Sequence, residues 1–272
     1  MLKMLKTMTA TGLLLALLTP TSTWAGNSQV HKLMDITGIT DQIRVLPEIM
    51  KLSFSGAGSQ GASLPPAAQQ AFVNAIDQSF HIQKFEQTVE NQLAKDLSPQ
   101  DLTTLLDWYK TGPAKTIIAA EKAAITPEAM VDMQMQAATL MKNSSRMAFA
   151  RRLDGLMGAT DSAMSMQEYT GIAMLSAMAS SQTGGAMDMD MMKQLLSTQL
   201  EQQQQMVADQ IAVQIVYTYR NLDDATLADY EKTLKTPAFK KFYQSGMSAM
   251  NRGTENFITD WADVVAASDV LQ

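Results

Sequence analysis

Apolar positions in this chain recur with the period of a helix. Leu102, Leu105, Leu106 and Tyr109 stand at i, i+3, i+4 and i+7, the spacing that lays one buried stripe along an α-helix. Ser98 precedes them and Asp101 follows three positions later, a capping box that predicts the helix start. Gly112 and Pro113 predict its end. Thr126-Pro127-Glu128 opens another helix with a cap, a first-turn proline and an acid near the positive dipole end. Met130, Met133, Ala137, Leu140 and Met141 continue its stripe. Asp223 caps a third, with Leu227, Tyr230 and Leu234 on one face, and Phe257, Trp261, Val264 and Val265 repeat the pattern near the C-terminus. Alternating β-branched runs between hairpin turns are missing, and the abundant Ala, Met, Leu and Gln favour helices. The pattern predicts an all-α protein.

Two breaks interrupt it: the small, flexible stretch Ser55 to Ser63 and the Thr183-Gly184-Gly185 segment. Landmarks also recur in order. Gly38-Ile39-Thr40-Asp41 is echoed by Gly158-Ala159-Thr160-Asp161. Asp96-Leu97-Ser98-Pro99-Gln100-Asp101-Leu102 is echoed by Asn221-Leu222-Asp223-Asp224-Ala225-Thr226-Leu227. Lys110-Thr111-Gly112-Pro113-Ala114 matches Lys235-Thr236-Pro237-Ala238. The offsets are 120, 125 and 124 residues, so order and spacing agree apart from small insertions. The expectation is two tandem copies of a multi-helix repeat, residues 26–146 and 147–272, each burying apolar faces within itself and against its twin.

The start of the chain reads differently. Lys3 and Lys6 precede the apolar run Gly12 to Leu18, Pro20 breaks it, and Thr23-Trp24-Ala25 supplies small residues for cleavage. That order predicts a secretory signal peptide over residues 1–25, because the apolar run is well short of the ~20 residues a membrane span needs. No later stretch is apolar enough to cross a bilayer. The formal net charge is −6 and grows more negative once Lys3 and Lys6 are removed, which argues against a nucleic-acid partner. Cysteine is absent, so packing alone must hold an exported fold together. These features predict a periplasmic location, with secretion as the alternative.

The stretch from Leu97 to Thr111, with Ser98, Leu102, Leu105 and the pair Trp108-Tyr109 ahead of Pro113, resembles the motif of exported bacterial proteins classed as domain of unknown function 2059. A second, weaker match runs through Leu222, Leu227, Tyr230 and Pro237. Gly112 precedes Pro113 where the family has the reverse order, and Leu234 and Phe239 stand where an aromatic and a glycine are usual. The resemblance implies an α-helical envelope protein and brings no activity, cofactor or catalytic residue with it.

Candidate chemistry is sparse. His31 and His81 lack local metal-ligand spacing. Gly56-Ala57-Gly58-Ser59-Gln60-Gly61 matches a GxGxxG pattern, but no buried strand precedes it to turn the backbone onto a pyrophosphate, so it reads as a loop. Asp223 and Asp224 are explained by helix capping, and Asp188 and Asp190 merely flank methionines. Methionine is the exception: 15 of the 22 lie between Met130 and Met206. Met187, Met189, Met191 and Met192 form the one candidate metal site, since thioethers suit Cu(I). Methionine also fills core gaps and lines adaptable grooves. The expected function is a non-catalytic interaction or binding module of the cell envelope, with no catalytic residue or cofactor, acting on an envelope protein or peptide. The alternative is a Met-rich Cu(I)-binding or metal-stress protein.

Overall fold

The computed structural model describes residues 22–54, 66–181 and 189–267. Twelve α-helices and no strand occur among the described residues, as the periodicity predicts. The N-terminal half holds α1 (Ser22–Thr37), α2 (Ile39–Phe54), α3 (Pro66–Ser79), α4 (Ile82–Asp96), α5 (Pro99–Tyr109), α6 (Gly112–Ala124) and α7 (Pro127–Leu140). The C-terminal half holds α8 (Ser144–Met157), α9 (Ala159–Ser181), α10 (Met189–Thr218), α11 (Asp224–Leu234) and α12 (Pro237–Ala266). No described helix is long and apolar enough to cross a membrane. The Ser55–Ser63 and Thr183–Gly185 breaks, the GxGxxG match and residues 1–21 lie outside the described residues.

Local chemistry sets the helix ends. Asp101 donates its backbone N–H to Ser98 Oγ at 3.2 Å, and Ser98 returns its own N–H to Asp101 Oδ2 at 2.9 Å. Two orphan donors are thereby satisfied at once. Thr126 caps α7 and Asp223 caps α11 through the N–H groups of Ala129 and Thr226. One expectation is corrected. Gly112 and Pro113 do not end α5, which stops at Tyr109; they open α6 behind Thr111, whose hydroxyl accepts from Ala114 N at 3.3 Å. Proline lacks an N–H and so fits a first turn, where that donor has no helical partner.

Among the described residues two glycines adopt the left-handed conformation, Gly38 at φ 77° and Gly158 at φ 72°. Each separates a helix pair, α1 from α2 and α8 from α9. A latch spans each break: Thr40 Oγ1 donates to Asp35 Oδ1 at 2.9 Å, and Thr160 Oγ1 donates to Asp154 Oδ2 at 2.7 Å. Both threonines are buried. A side chain other than glycine at the break would be strained at that φ.

A principal core draws on both halves. Val89 and Leu93 of α4, Leu105 of α5 and Ile117 of α6 share it with Leu153 of α8, Val216 of α10 and Leu234 of α11. A smaller core joins Met50, Phe72 and Ile76 to Phe257, Ile258 and Trp261. The long helix α12 lies along α3, α4 and α9, while α10 lies on α6, α7, α8 and α9.

Glycine permits one of these contacts. A Cβ built on Gly253 of α12 would fall 2.6 Å from Phe85 Cε1 and 2.7 Å from Cζ, on a ring that is itself buried. Gly246, two turns earlier, faces open space. Gly253→Ala should therefore cost roughly 1–3 kcal/mol through overpacking. Gly246→Ala should stabilise by about 0.5–1 kcal/mol through helix propensity. Urea midpoints of the two variants check the opposite signs.

Candidate functional site

The most distinctive arrangement of chemical groups is a tyrosine cluster around one carboxylate. Ile117 and Glu121 are four residues apart on α6 and so share a face; Ile117 enters the core, and Glu121 follows it inward. Tyr219, just past the end of α10, donates its hydroxyl to Glu121 Oε1 at 2.7 Å. Tyr230 of α11 donates to the same oxygen at 3.1 Å. Tyr230 also shares a hydrogen bond of 3.0 Å with Tyr243 of α12, and the Tyr109 ring of α5 meets Trp108 edge-on at 4.9 Å. Trp108 stacks over the Tyr230 ring at 5.8 Å with an interplanar angle of 13°, and its edge meets Phe239 at 5.0 Å.

Electrostatics follow from burial. Desolvation raises the Glu121 pKa above the ordinary carboxylate value, and the two phenol hydrogen bonds offset part of that rise. Tyr109, Tyr219, Tyr230 and Tyr243 are all shifted upward, first by desolvation and then by neighbouring negative or phenolic groups. The phenols stay protonated, and Tyr219 and Tyr230 donate to the carboxyl. The cluster therefore consists of satisfied polar groups inside an apolar surround, the form in which buried polar side chains are tolerated.

Two ion-paired carboxylates lie near it. Glu231 of α11 takes both Arg152 Nε and Nη2, at 3.1 and 3.0 Å, and Lys235 Nζ at 2.7 Å. Asp101 takes Lys241 Nζ at 2.8 Å besides the Ser98 cap. Hydrogen bonds to these cations, Arg152 first for Glu231 and Lys241 first for Asp101, hold both carboxyls down at about 2. Because those values lie below the unfolded 3.8 and 4.5, the stabilisation is present above the unfolded pKa. It is lost as pH falls through that value toward about 2. The urea midpoint should accordingly drop between about pH 5 and pH 2.5, and the drop should be shallower in Lys241→Met.

The residues singled out from sequence fall into place unevenly. Leu102, Leu105, Tyr109, Leu227 and Tyr230 are buried in the shared core, and Leu97 joins them. Trp108 and Leu222 are partly buried against it. Ser98 caps α5, while Pro113 and Pro237 occupy first turns. Of the four methionines considered for Cu(I), Met187 and the side chains of Met189 and Met192 lie outside the described residues. Met191 is described and is 61% exposed on α10. His31 sits 3.7 Å from Asp35 on an exposed helix face, and His81 is exposed at the start of α4. No cluster of three or more metal-binding His, Asp or Glu side chains occurs among the described residues. A depression of about 20 Å³ between α4 and α12, beside Lys84, Gly253 and Asp260, has room for about one water.

Sequence reasoning missed Glu121, Tyr219, Tyr243 and Phe239. The usable signal was a lone acid on the apolar face of α6, four residues after Ile117. Nothing local paired it with tyrosines about 100 positions away.

A second feature is the outer surface of α7. Met133, Ala137 and Leu140 pack against the core, whereas Met130, Val131, Met135 and Met141 remain exposed, Met135 to 74%. Only part of the predicted stripe is buried. Asp132 anchors this helix to α10 by accepting the Tyr217 hydroxyl at 2.8 Å, and Met206 of α10 is also exposed.

No curated protein and no solved structure is significantly similar to the chain. Residues 83–143, spanning nearly all of α4 through α7, match the model of the family described as "Uncharacterized protein conserved in bacteria (DUF2059)".

Proposed function

We propose that the protein is an exported, non-catalytic binding module of the bacterial envelope, working in the periplasm. Its binding face is the outward side of α7. The observation behind this reading is the run of solvent-facing Met130, Val131, Met135 and Met141 on a helix anchored to α10. Exposed apolar groups gathered on one element mark recognition surfaces, and unbranched thioethers adapt to varied apolar partners. The partner chemistry that fits is an amphipathic helix or peptide laying its apolar face against α7.

Site-specific photo-cross-linking in intact cells tests this reading. A photoreactive residue at Met135 of the full chain should trap a discrete adduct that Met130→Ser together with Val131→Ser abolishes. The same probe at Thr103, exposed on α5, should trap none. Equal labelling from both positions counts against a binding face on α7.

The Cu(I) reading has its own discriminator. Met191 is 61% exposed on α10; on this reading anaerobic Cu(I) titration of the exported form shows uptake that is lost on replacing Met187, Met189, Met191 and Met192 by Leu. Uptake that survives the replacement removes those residues as ligands.

A further inference from the structure

We infer that the chain is a fused pair of like helical units that have exchanged their last segments, so that each half is the other's obligate binding partner. This is independent of what α7 binds outside.

The likeness is local and specific. α1–α2 and α8–α9 each open a half as two helices joined at a left-handed glycine and latched by a buried threonine on an aspartate. α5 and α11 are both 11 residues long. Each is capped by a side-chain oxygen, from Ser98 or Asp223, and each buries the same four places. Those places hold Leu102, Leu105, Leu106 and Tyr109 in one helix, and Leu227, Tyr230, Glu231 and Leu234 in the other. The next helix starts with Thr-Gly-Pro or Thr-Pro. α3 and α4 stand where the second half has the single long α10. α6 and α7 stand where it has α12, the proline after Thr126 marking a break that α12 lacks.

The exchange is visible in what each last segment touches. α6 and α7, which close the first half, lie on α10 of the second; α12, which closes the second, lies on α9 of its own half and also along α3 and α4 of the first. Polar contacts follow the same seam. Along α12, Lys241 reaches Asp101, Ser245 donates to Asp96 at 2.7 Å, and Asp260 accepts Lys84 at 2.8 Å. At its far end Trp261 Nε1 donates to the carbonyl of Phe72 at 3.1 Å. Phe239 packs against both Trp108 and Tyr109, and Glu121 binds tyrosines only from the opposite half. The one chain connection between the halves described here is the exposed turn Met141-Lys142-Asn143.

A cut in that turn tests the inference on the whole protein. A protease recognition sequence placed between Lys142 and Asn143 lets the folded chain be cleaved after purification. The cleaved halves should co-elute at the uncut position with unchanged helical circular dichroism. Their unfolding midpoint should become concentration-dependent, which that of the uncut chain is not. Phe239→Ala should weaken the half–half association by about a hundredfold or more on dilution, since it empties a site lined by the other half. Trp108→Leu, a milder change, should weaken it in the same direction. Arg151→Ala, which breaks an exposed pair with Asp209 inside one half, should leave association unchanged. Halves that separate at micromolar concentration, folded or unfolded, overturn the inference, as does association indifferent to Phe239 and Trp108.

Discussion

Trp261→Ala should be among the most destabilising single changes in this protein, with a loss of roughly 3–5 kcal/mol from the emptied cavity alone. The indole is fully buried, meets Phe72 edge-on at 5.3 Å, and satisfies the Phe72 carbonyl through its N–H. Removing it also gives up the indole N–H hydrogen bond, at a further cost of roughly 0.5–1.5 kcal/mol. Against a typical net stability of about 5–15 kcal/mol, the variant is marginal. Trp261→Phe separates the two contributions, because it restores most of the packing without the donor. Urea denaturation of both variants gives the comparison. A loss below about 1 kcal/mol for Trp261→Ala would mean that the end of α12 does not seat on α3 as described.

Glu121→Leu should rank second, by way of the groups it abandons. Tyr219 would lose its acceptor at Oε1, leaving a buried hydroxyl at a cost of roughly 1–3 kcal/mol, while Tyr230 loses the same acceptor but keeps its hydrogen bond to Tyr243. Glu121→Gln keeps a carbonyl acceptor and should cost less than about 1 kcal/mol. The pH dependence carries the opposite sign to that of Asp101 and Glu231. Burial raises the folded-state pKa of Glu121, so the folded chain holds a proton there that the unfolded chain has already released. Its contribution to stability therefore declines as pH rises from the unfolded value through the raised one. Glu121→Gln should flatten that part of the profile and leave the acid limb from Asp101 and Glu231 intact. Equal cost for Leu and Gln would indicate that the carboxyl is a spacer, not an acceptor.

Local rules made the helices legible before any coordinates. The Ser98 capping box, the Thr126 and Asp223 caps and the stripe from Leu102 to Tyr109 each depend on residues within a turn or two. The geometry at those positions follows the chemistry read from them. Gly112-Pro113 shows where local reading slips. A proline after a helix and a proline opening the next look alike in sequence, and only the Thr111 cap separates them. The tyrosine cluster could not be read at all. Glu121 and Tyr230 are 109 positions apart, and no periodicity links a lone acid on α6 to phenols on three other elements. The methionine enrichment was legible as composition but not as placement. Met34, Met50 and Met147 are core residues, while Met135, Met141 and Met206 face solvent. Helical spacing alone does not separate these groups when a helix lies at the rim of the fold.

Differential scanning calorimetry of the protein tests most directly whether the two halves fold as one body. A shared core, a second core built across the seam and an exchanged pair of closing segments predict a single transition, with equal calorimetric and van't Hoff enthalpies. Two resolved transitions, one displaced by Leu105→Ala and the other only by Leu153→Ala, would contradict it.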